Sequence, residues 1–155
     1  SPAGEGERID QPAPAIQAVN QDGKTVDFTE VYAKGPTVVY FYPKADTPGC
    51  TKQACSLRDA YADLTAQGVT VLGVSTDVPA DQKKFQEKFN LPFDLIADPD
   101  AKVLEAFGVE KMAGRNLASR QAFLISKGRI VWHDGKASTD QQAADIQREL
   151  AALKR

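Results

Sequence analysis

The strongest constraint on the fold of this chain is an apolar run that leads through a turn into a helical pattern. Residues 37–42 are all β-branched or aromatic, which is typical of a strand covered on both faces. After a turn rich in Pro, Asp, Thr and Gly, apolar residues recur at helical spacing over residues 50–66, and Gly68 follows as a stop signal. This strand and helix predict an α/β fold, and both cysteines of the chain lie at their junction.

The remaining sequence continues this alternation of strands and helices. It predicts a short hairpin over 15–28, a strand over 69–75, a helix over 79–89, a short strand over 93–97, a short helix over 101–107, a hairpin over 121–133 and a final helix from about residue 140 to 153. This order matches a thioredoxin-like fold, with a mixed central β-sheet flanked by helices. Residues 1–14, rich in Gly, Pro and charge, are predicted to be a mobile arm, and residues 15–155 a single domain.

Composition excludes several classes of partner. The 155 residues carry a net charge of -2 and contain no polybasic run, which argues against nucleic acid and anionic membranes as partners. No stretch approaches the roughly 20 apolar residues that span a bilayer. No Gly-rich phosphate loop suggests a nucleotide cofactor. Reactive cysteines favour a cytoplasmic location. Because the chain begins at Ser1, export with later removal of a signal peptide remains an alternative.

Cys50 and Cys55 differ in their placement on the predicted helix. Cys50 lies in its first turn, where orphan backbone N–H groups and partial positive charge favour a thiolate over a thiol. Cys50 also falls within the apolar stripe of this helix, whereas Cys55 is rotated about 140° away from it. In an unbroken helix their Cα atoms are on the order of 8 to 9 Å apart, beyond the limit of roughly 7 Å for a disulfide. A bond between them therefore requires the first turns of the helix to unwind.

The residues alone leave three other interpretations open. One or both cysteines could be inert buried residues, as free cysteine often is. The cysteines and His133 could bind zinc, although structural zinc usually takes four ligands at short spacings and His133 is more simply a strand-end or surface residue. A disulfide exchanger or a non-catalytic binding module could use the same fold, but exchangers usually carry Cys-x-x-Cys.

The sequence around Cys50 resembles a known family. Residues 41–51, FYPKADTPGCT, contain the P-x-x-x-T-x-x-C signature of the peroxiredoxins. With Cys55 five residues further on, the stretch is similar to the peroxiredoxin Q group, also called bacterioferritin comigratory protein. The resemblance extends over about residues 9–153 and includes DPD at 98–100 and RQAFLI at 120–125.

The resemblance implies a role for each matching residue. Cys50 is expected to be the peroxidatic nucleophile and Cys55 the resolving cysteine. Thr47 is expected to hydrogen-bond the peroxide, and Pro43 to shield the site. Arg120 is expected to hold the thiolate and polarise the O–O bond, because its guanidinium stays charged and presents several donors.

The resemblance also implies an activity. The expected protein is a thiol peroxidase that reduces hydrogen peroxide and organic hydroperoxides through a sulfenic acid and an intramolecular disulfide. Thioredoxin or a similar dithiol protein is its expected reductant, with no cofactor, no metal and a monomeric state. The chain departs from the family at Gln53, where a glutamate is common, so any role that needs a charge there is in doubt.

Overall fold

The centre of the fold is one mixed sheet of seven strands. The structure is a computed structural model and describes residues 9–153. The strands are β1 (Gln17–Asn20), β2 (Thr25–Asp27), β3 (Thr37–Phe41), β4 (Thr70–Ser75), β5 (Asp94–Ala97), β6 (Gln121–Ser126) and β7 (Arg129–Asp134). Their order in the sheet is β2-β1-β5-β4-β3-β6-β7, with β3, β4 and β5 parallel and the other neighbours antiparallel. The predicted mixed sheet is confirmed.

Helices cover both faces of this sheet. They are α1 (Phe28–Ala33), α2 (Pro48–Ala66), α3 (Pro79–Phe89), α4 (Lys102–Phe107) and α5 (Gln142–Leu153). Because strand side chains alternate between faces, Tyr40 packs in one apolar cluster with α2, α3 and α5, while Phe41 packs in the other with α1 and α4. Within residues 9–153, no helix is long and apolar enough to cross a membrane.

The strand register brings three chain segments to one edge of the sheet. Phe41, the last residue of β3, lies opposite Val74 near the end of parallel β4 and opposite Gln121 at the start of antiparallel β6. The loop after β3, the loop after β4 and the residue before β6 therefore meet at the carboxyl ends of the parallel strands. Active sites of open α/β sheets gather at such an edge.

The first helix was missing from the sequence prediction. The predicted strand over 25–28 ends at Asp27, whose Oδ1 accepts a hydrogen bond from the backbone N–H of Thr29 and caps α1. Only Phe28 and Tyr32 of this helix are buried. Six residues are too few to show a helical period, so the local pattern could not reveal it.

The predicted arm lies partly outside the described residues. Residues 1–8 belong to that undescribed part, as do residues 154–155 at the other end of the chain. Residues 10–13 run beside β7, where Ile130 N–H donates to the carbonyl of Gln11 at 2.8 Å and Ala13 N–H donates to the carbonyl of Gly128 at 2.8 Å. This part of the predicted arm is thus attached to the sheet.

Candidate active site

Cys50 lies in the first turn of α2, as the sequence predicted. Thr47 precedes the helix in an extended conformation, and Pro48 is its first residue, a position where the missing N–H costs nothing. The carbonyl of Thr47 accepts a hydrogen bond from Thr51 N–H at 2.8 Å, which closes the first turn around Cys50. The side chain of Cys50 is 1% exposed and carries a free thiol. The sulfur is therefore held at a helix N-terminus inside the protein.

Arg120 contacts the sulfur of Cys50 from the other side of the site. Its Nη2 donates to Sγ of Cys50 at 3.5 Å, although 70 residues separate the two in the sequence. Arg120 directly precedes β6, and its carbonyl accepts a hydrogen bond from Ala137 N–H at 3.0 Å. A fixed positive charge thus lies against the thiol, which favours its thiolate form.

Gln53 holds the other branch of the same guanidinium. Nη1 of Arg120 donates to Oε1 of Gln53 at 2.6 Å, and Gln53 is fully buried in α2. Nε2 of Gln53 donates in turn to Oε1 of Gln142, the first residue of α5, at 3.1 Å. Among residues 9–153, Arg120 makes no ion pair with a carboxylate. The residue that departs from the family pattern therefore binds the arginine as a neutral amide.

Thr47 and Pro43 lie in the loop that joins β3 to α2. Both are half-buried, and Oγ1 of Thr47 donates to the carbonyl of Lys44 at 2.7 Å. Because this hydroxyl hydrogen is engaged within the loop, the oxygen is left to act as an acceptor. The loop thus places Pro43 and Thr47 directly before the first turn of α2, where Arg120 contacts Cys50.

The loop after β4 supports the loop before Cys50, and no sequence pattern predicted this contact. Oδ2 of Asp77 accepts hydrogen bonds from Ala45 N–H at 2.8 Å and from Oγ of Ser75 at 2.6 Å. Lys88 of α3 pairs with the carboxylate of Asp46 at 3.0 Å. Asp46 has a φ of 61°, a left-handed conformation that aspartate tolerates better than most residues. These contacts tie the loop before Cys50 to β4 and α3.

Two tyrosines, Tyr40 in β3 and Tyr42 directly after it, lie in the same apolar cluster as Cys50. The hydroxyl of Tyr42 donates to Oε1 of Gln82 at 2.5 Å, whereas the buried hydroxyl of Tyr40 finds no hydrogen-bond partner among the described residues. Burial raises the pKa of Tyr40 and that of Tyr42 far above their usual range. Both phenols are neutral, so Arg120 is the charged group facing the thiol.

Cys55 lies on a different side of α2 from Cys50. Cys50 is buried together with Ala54, Leu57 and Leu64, which confirms the predicted core-facing stripe, while Cys55 is half-buried. Both cysteines are free thiols in this structure. The intact helix keeps their side chains apart.

His133 is separated from both cysteines by the sheet. The predicted strand-end position agrees with its place next to the end of β7, but the surface alternative was wrong, because His133 is 3% exposed and stacks on Phe123 with a ring distance of 4.2 Å. Its Nε2 lies 2.7 Å from Oε1 of Gln121. Phe123 belongs to the cluster on the opposite face from Cys50. Across the described part of the chain, no three His, Cys, Asp or Glu side chains are grouped as metal ligands.

Comparison with known proteins identifies the family. The model of the AhpC/TSA family matches residues 9–133. The chain belongs to the AhpC/TSA family. It is 44% identical over 124 residues to a putative peroxiredoxin bcp of Haemophilus influenzae, covering 77% of this chain and 79% of the relative. It is also 40% identical over 121 residues to a chloroplastic peroxiredoxin Q of Populus jackii, covering 78% of this chain. The resemblance to the peroxiredoxin Q and bcp group is therefore confirmed.

Solved structures agree with this assignment. The peroxidoxin BcpB of Mycobacterium tuberculosis superposes with a TM-score of 0.86 at 27% identity, covering 95% of this chain and 99% of the other. A bacterioferritin comigratory protein of Xanthomonas campestris, described for its alkyl peroxide reduction activity, gives a TM-score of 0.84 at 26% identity, with coverages of 95% and 98%. These similarities confirm the thioredoxin-like fold of this peroxiredoxin.

The match does not extend over the whole of every relative. This peroxiredoxin spans about half the length of the chloroplast proteins that it matches, 56% in the case of the Populus jackii protein.

Proposed function

We propose that this peroxiredoxin is a thiol peroxidase that reduces hydrogen peroxide and organic hydroperoxides. The observation that carries the proposal is the contact of Arg120 Nη2 with Sγ of Cys50 at 3.5 Å in the first turn of α2. A guanidinium and a helix N-terminus both favour a thiolate, the nucleophilic form of cysteine. The alkyl peroxide reduction activity named for the Xanthomonas campestris relative supports the same substrate class.

In the first step, the thiolate of Cys50 attacks one oxygen of the peroxide. The S–O bond forms as the O–O bond breaks, so the sulfur is oxidised by two electrons to a sulfenic acid. The other oxygen leaves as water or an alcohol after taking up a proton. Arg120 and the N–H groups at the start of α2 stabilise the charge that moves from sulfur to this oxygen, while Thr47 orients the peroxide and Pro43 limits the access of water.

In the second step, Cys55 resolves the sulfenic acid. Its sulfur attacks Cys50, a disulfide forms, and the sulfenic oxygen leaves as water. Because Cys55 lies on another side of α2, this step requires the first turns of the helix to unwind. A dithiol protein such as thioredoxin then reduces the disulfide through a mixed disulfide.

Stopped-flow oxidation followed by mass analysis tests both steps. The parent protein should consume hydrogen peroxide and gain an internal disulfide between Cys50 and Cys55. The variant Cys50→Ser should lose consumption, because serine supplies no thiolate beside Arg120 and the remaining thiol, Cys55, lies on another side of α2. The variant Cys55→Ser should react once and retain a sulfenic acid that a dimedone-type reagent traps.

Three outcomes would contradict this assignment. Full consumption by Cys50→Ser would remove Cys50 from the chemistry. Full turnover of Cys55→Ser with thioredoxin, without a trapped sulfenic acid, would show that Cys55 is not the resolving cysteine. Reduction of insulin disulfides without any peroxide consumption would instead identify a disulfide exchanger.

We further propose that the protein acts as a monomer in the cytoplasm. The intramolecular pairing of Cys50 with Cys55 needs no second subunit, and a reducing compartment keeps both cysteines available as thiols. Sedimentation of the reduced and oxidised protein checks the first proposal, and fractionation of the source cells checks the second.

A further inference from the structure

Gln142 is buried at the start of α5 in a way that stability alone does not explain. It is 1% exposed, and its Nε2 finds no hydrogen-bond partner among residues 9–153. A buried amide donor without a partner is unfavourable, and such groups are rare in folded proteins. The one hydrogen bond that its carboxamide makes within these residues is through Oε1, which accepts from Gln53 at 3.1 Å. The buried position of Gln142 therefore serves the hydrogen bond that its Oε1 accepts from Gln53.

That acceptor determines how Gln53 faces Arg120. A guanidinium has only donors, so the Gln53 atom against Nη1 of Arg120 must be the carbonyl oxygen. The amide nitrogen of Gln53 then points away from Arg120 and needs an acceptor of its own. Oε1 of Gln142 supplies it, which disfavours the flipped amide that would turn an N–H group toward the arginine.

The chain of contacts contains no negative charge between α5 and the thiol. It runs from Gln142 to Gln53, from Gln53 to Arg120, and from Arg120 to Sγ of Cys50. The charged and titratable groups around it are Arg120, the neutral phenols of Tyr40 and Tyr42, Cys55, Asp77 near Tyr42, and the exposed ion pair of Lys52 with Asp140 at 3.5 Å. The full charge of the guanidinium therefore remains available to a thiolate at Cys50.

We propose that Gln142 is a positioning residue for the thiol site, which acts through Gln53 to hold Arg120 against Cys50 without opposing its charge. This role rests on the proposed function, because a stabilised thiolate at Cys50 is needed for the reaction with peroxide. It extends the site from the β3–α2 junction to α5, a helix that contributes no residue to the predicted site.

The test compares two amides that link the same two helices. Gln67, which follows the end of α2, donates through Nε2 to Oε1 of Gln147 in α5 at 2.8 Å, far along the helix from Cys50. Gln142→Met and Gln147→Met each remove an acceptor while keeping nearly the same volume. Both are made in the Cys55→Ser background, where Cys50 is the only thiol, and the thiolate is followed by ultraviolet absorbance against pH.

We expect Gln142→Met to move the midpoint of this titration to higher pH, because an Arg120 that is held less firmly against Cys50 stabilises the thiolate less. Gln147→Met should leave the midpoint in place. Gln53→Met should move it at least as far as Gln142→Met does. Adding Gln142→Met to Gln53→Met should produce no further shift, because Gln142 acts only through Gln53.

An unchanged midpoint in folded Gln142→Met, or an equal shift in Gln147→Met, would overturn the proposal. So would full additivity of the two site variants. If Gln142→Met does not fold, Gln142→Asn withdraws the acceptor by one methylene and should give a smaller shift in the same direction. The readout does not depend on peroxide turnover, so failure of the proposed peroxidase activity would be seen separately, in the parent protein.

Discussion

Gly49 and Arg120 approach so closely that a β-carbon built on Gly49 lies 3.1 Å from Nη2 of Arg120. The same Nη2 contacts Sγ of Cys50, the next residue along α2. The absence of a side chain at position 49 thus leaves room for the guanidinium beside the thiol. The signature P-x-x-x-T-x-x-C leaves this position open, and the structure gives a physical reason for a glycine there in this chain.

Gly49→Ala should separate stability from activity. Alanine is a better helix former than glycine by up to about 1 kcal/mol, so the free energy of unfolding should stay the same or rise slightly. The new methyl group should push the guanidinium away from the sulfur and lower the rate of oxidation by hydrogen peroxide about tenfold, equivalent to ~1.4 kcal/mol. Denaturant unfolding and stopped-flow oxidation measure the two effects. An unchanged oxidation rate would show that the close approach is incidental.

Gln53→Glu should reduce the stabilisation of the Cys50 thiolate by Arg120, and should do so through its charge alone. A carboxylate at this position can still accept the hydrogen bond from Nη1 of Arg120, so the geometry is kept while the guanidinium gains an opposing charge. The oxidation rate near neutral pH should fall severalfold and recover as the pH is raised. A pH profile of the rate constant checks this. A profile that moves toward lower pH would contradict the view that a neutral partner matters here.

Thr51→Ala should slow disulfide formation without affecting the first step. Thr51 lies between the cysteines, and alanine strengthens a helix by roughly 0.5 kcal/mol relative to threonine, so unwinding should be about twofold slower. Thr65→Ala is the matched control, because Thr65 is exposed near the far end of the same helix. Quenched-flow mass analysis of the disulfide distinguishes the two variants. Equal slowing by both would locate the unwinding elsewhere in α2.

The parts of the site that sequence predicted are those set by local pattern. The run into β3, the turn and the stripe of α2 are contiguous, so the position of Cys50 follows from them. Gln142 and Asp77 could not be found in this way, since each comes from another element and has no spacing relation to Cys50. His133 was misplaced because alternation along β7 does not indicate which face the neighbouring elements bury.

Tyr40→Phe and Tyr42→Phe should have opposite effects on stability. Each removes only a hydroxyl from a fully buried side chain, in β3 for Tyr40 and directly after it for Tyr42. At Tyr40 the hydroxyl has no partner among residues 9–153, so its removal should stabilise the protein by up to about 1 kcal/mol. At Tyr42 its removal leaves Oε1 of Gln82 without a donor and should cost about 1 to 2 kcal/mol. Denaturant unfolding of both variants gives the comparison, and losses of similar size would contradict it.

Asp98 should give the stability a pH dependence of unusual sign for an aspartate. Its carboxylate accepts backbone hydrogen bonds from Val103 at 3.1 Å and Leu104 at 2.9 Å, at the start of α4. Burial nevertheless raises the pKa of Asp98 above its ordinary value, because desolvation outweighs these hydrogen bonds. The folded state then binds the proton more tightly than the unfolded state does. The contribution of Asp98 to stability is therefore full below the ordinary pKa and is lost as the pH rises through the raised one.

Asp98→Asn isolates this contribution, because asparagine does not titrate. The free energy of unfolding of the parent minus that of the variant should fall as the pH rises from below the ordinary pKa of aspartate to above the raised one. Denaturant unfolding over this range, with both proteins in the same buffers, measures the difference. A difference that grows with pH would mean that the backbone N–H groups at the start of α4 outweigh the burial of the carboxylate.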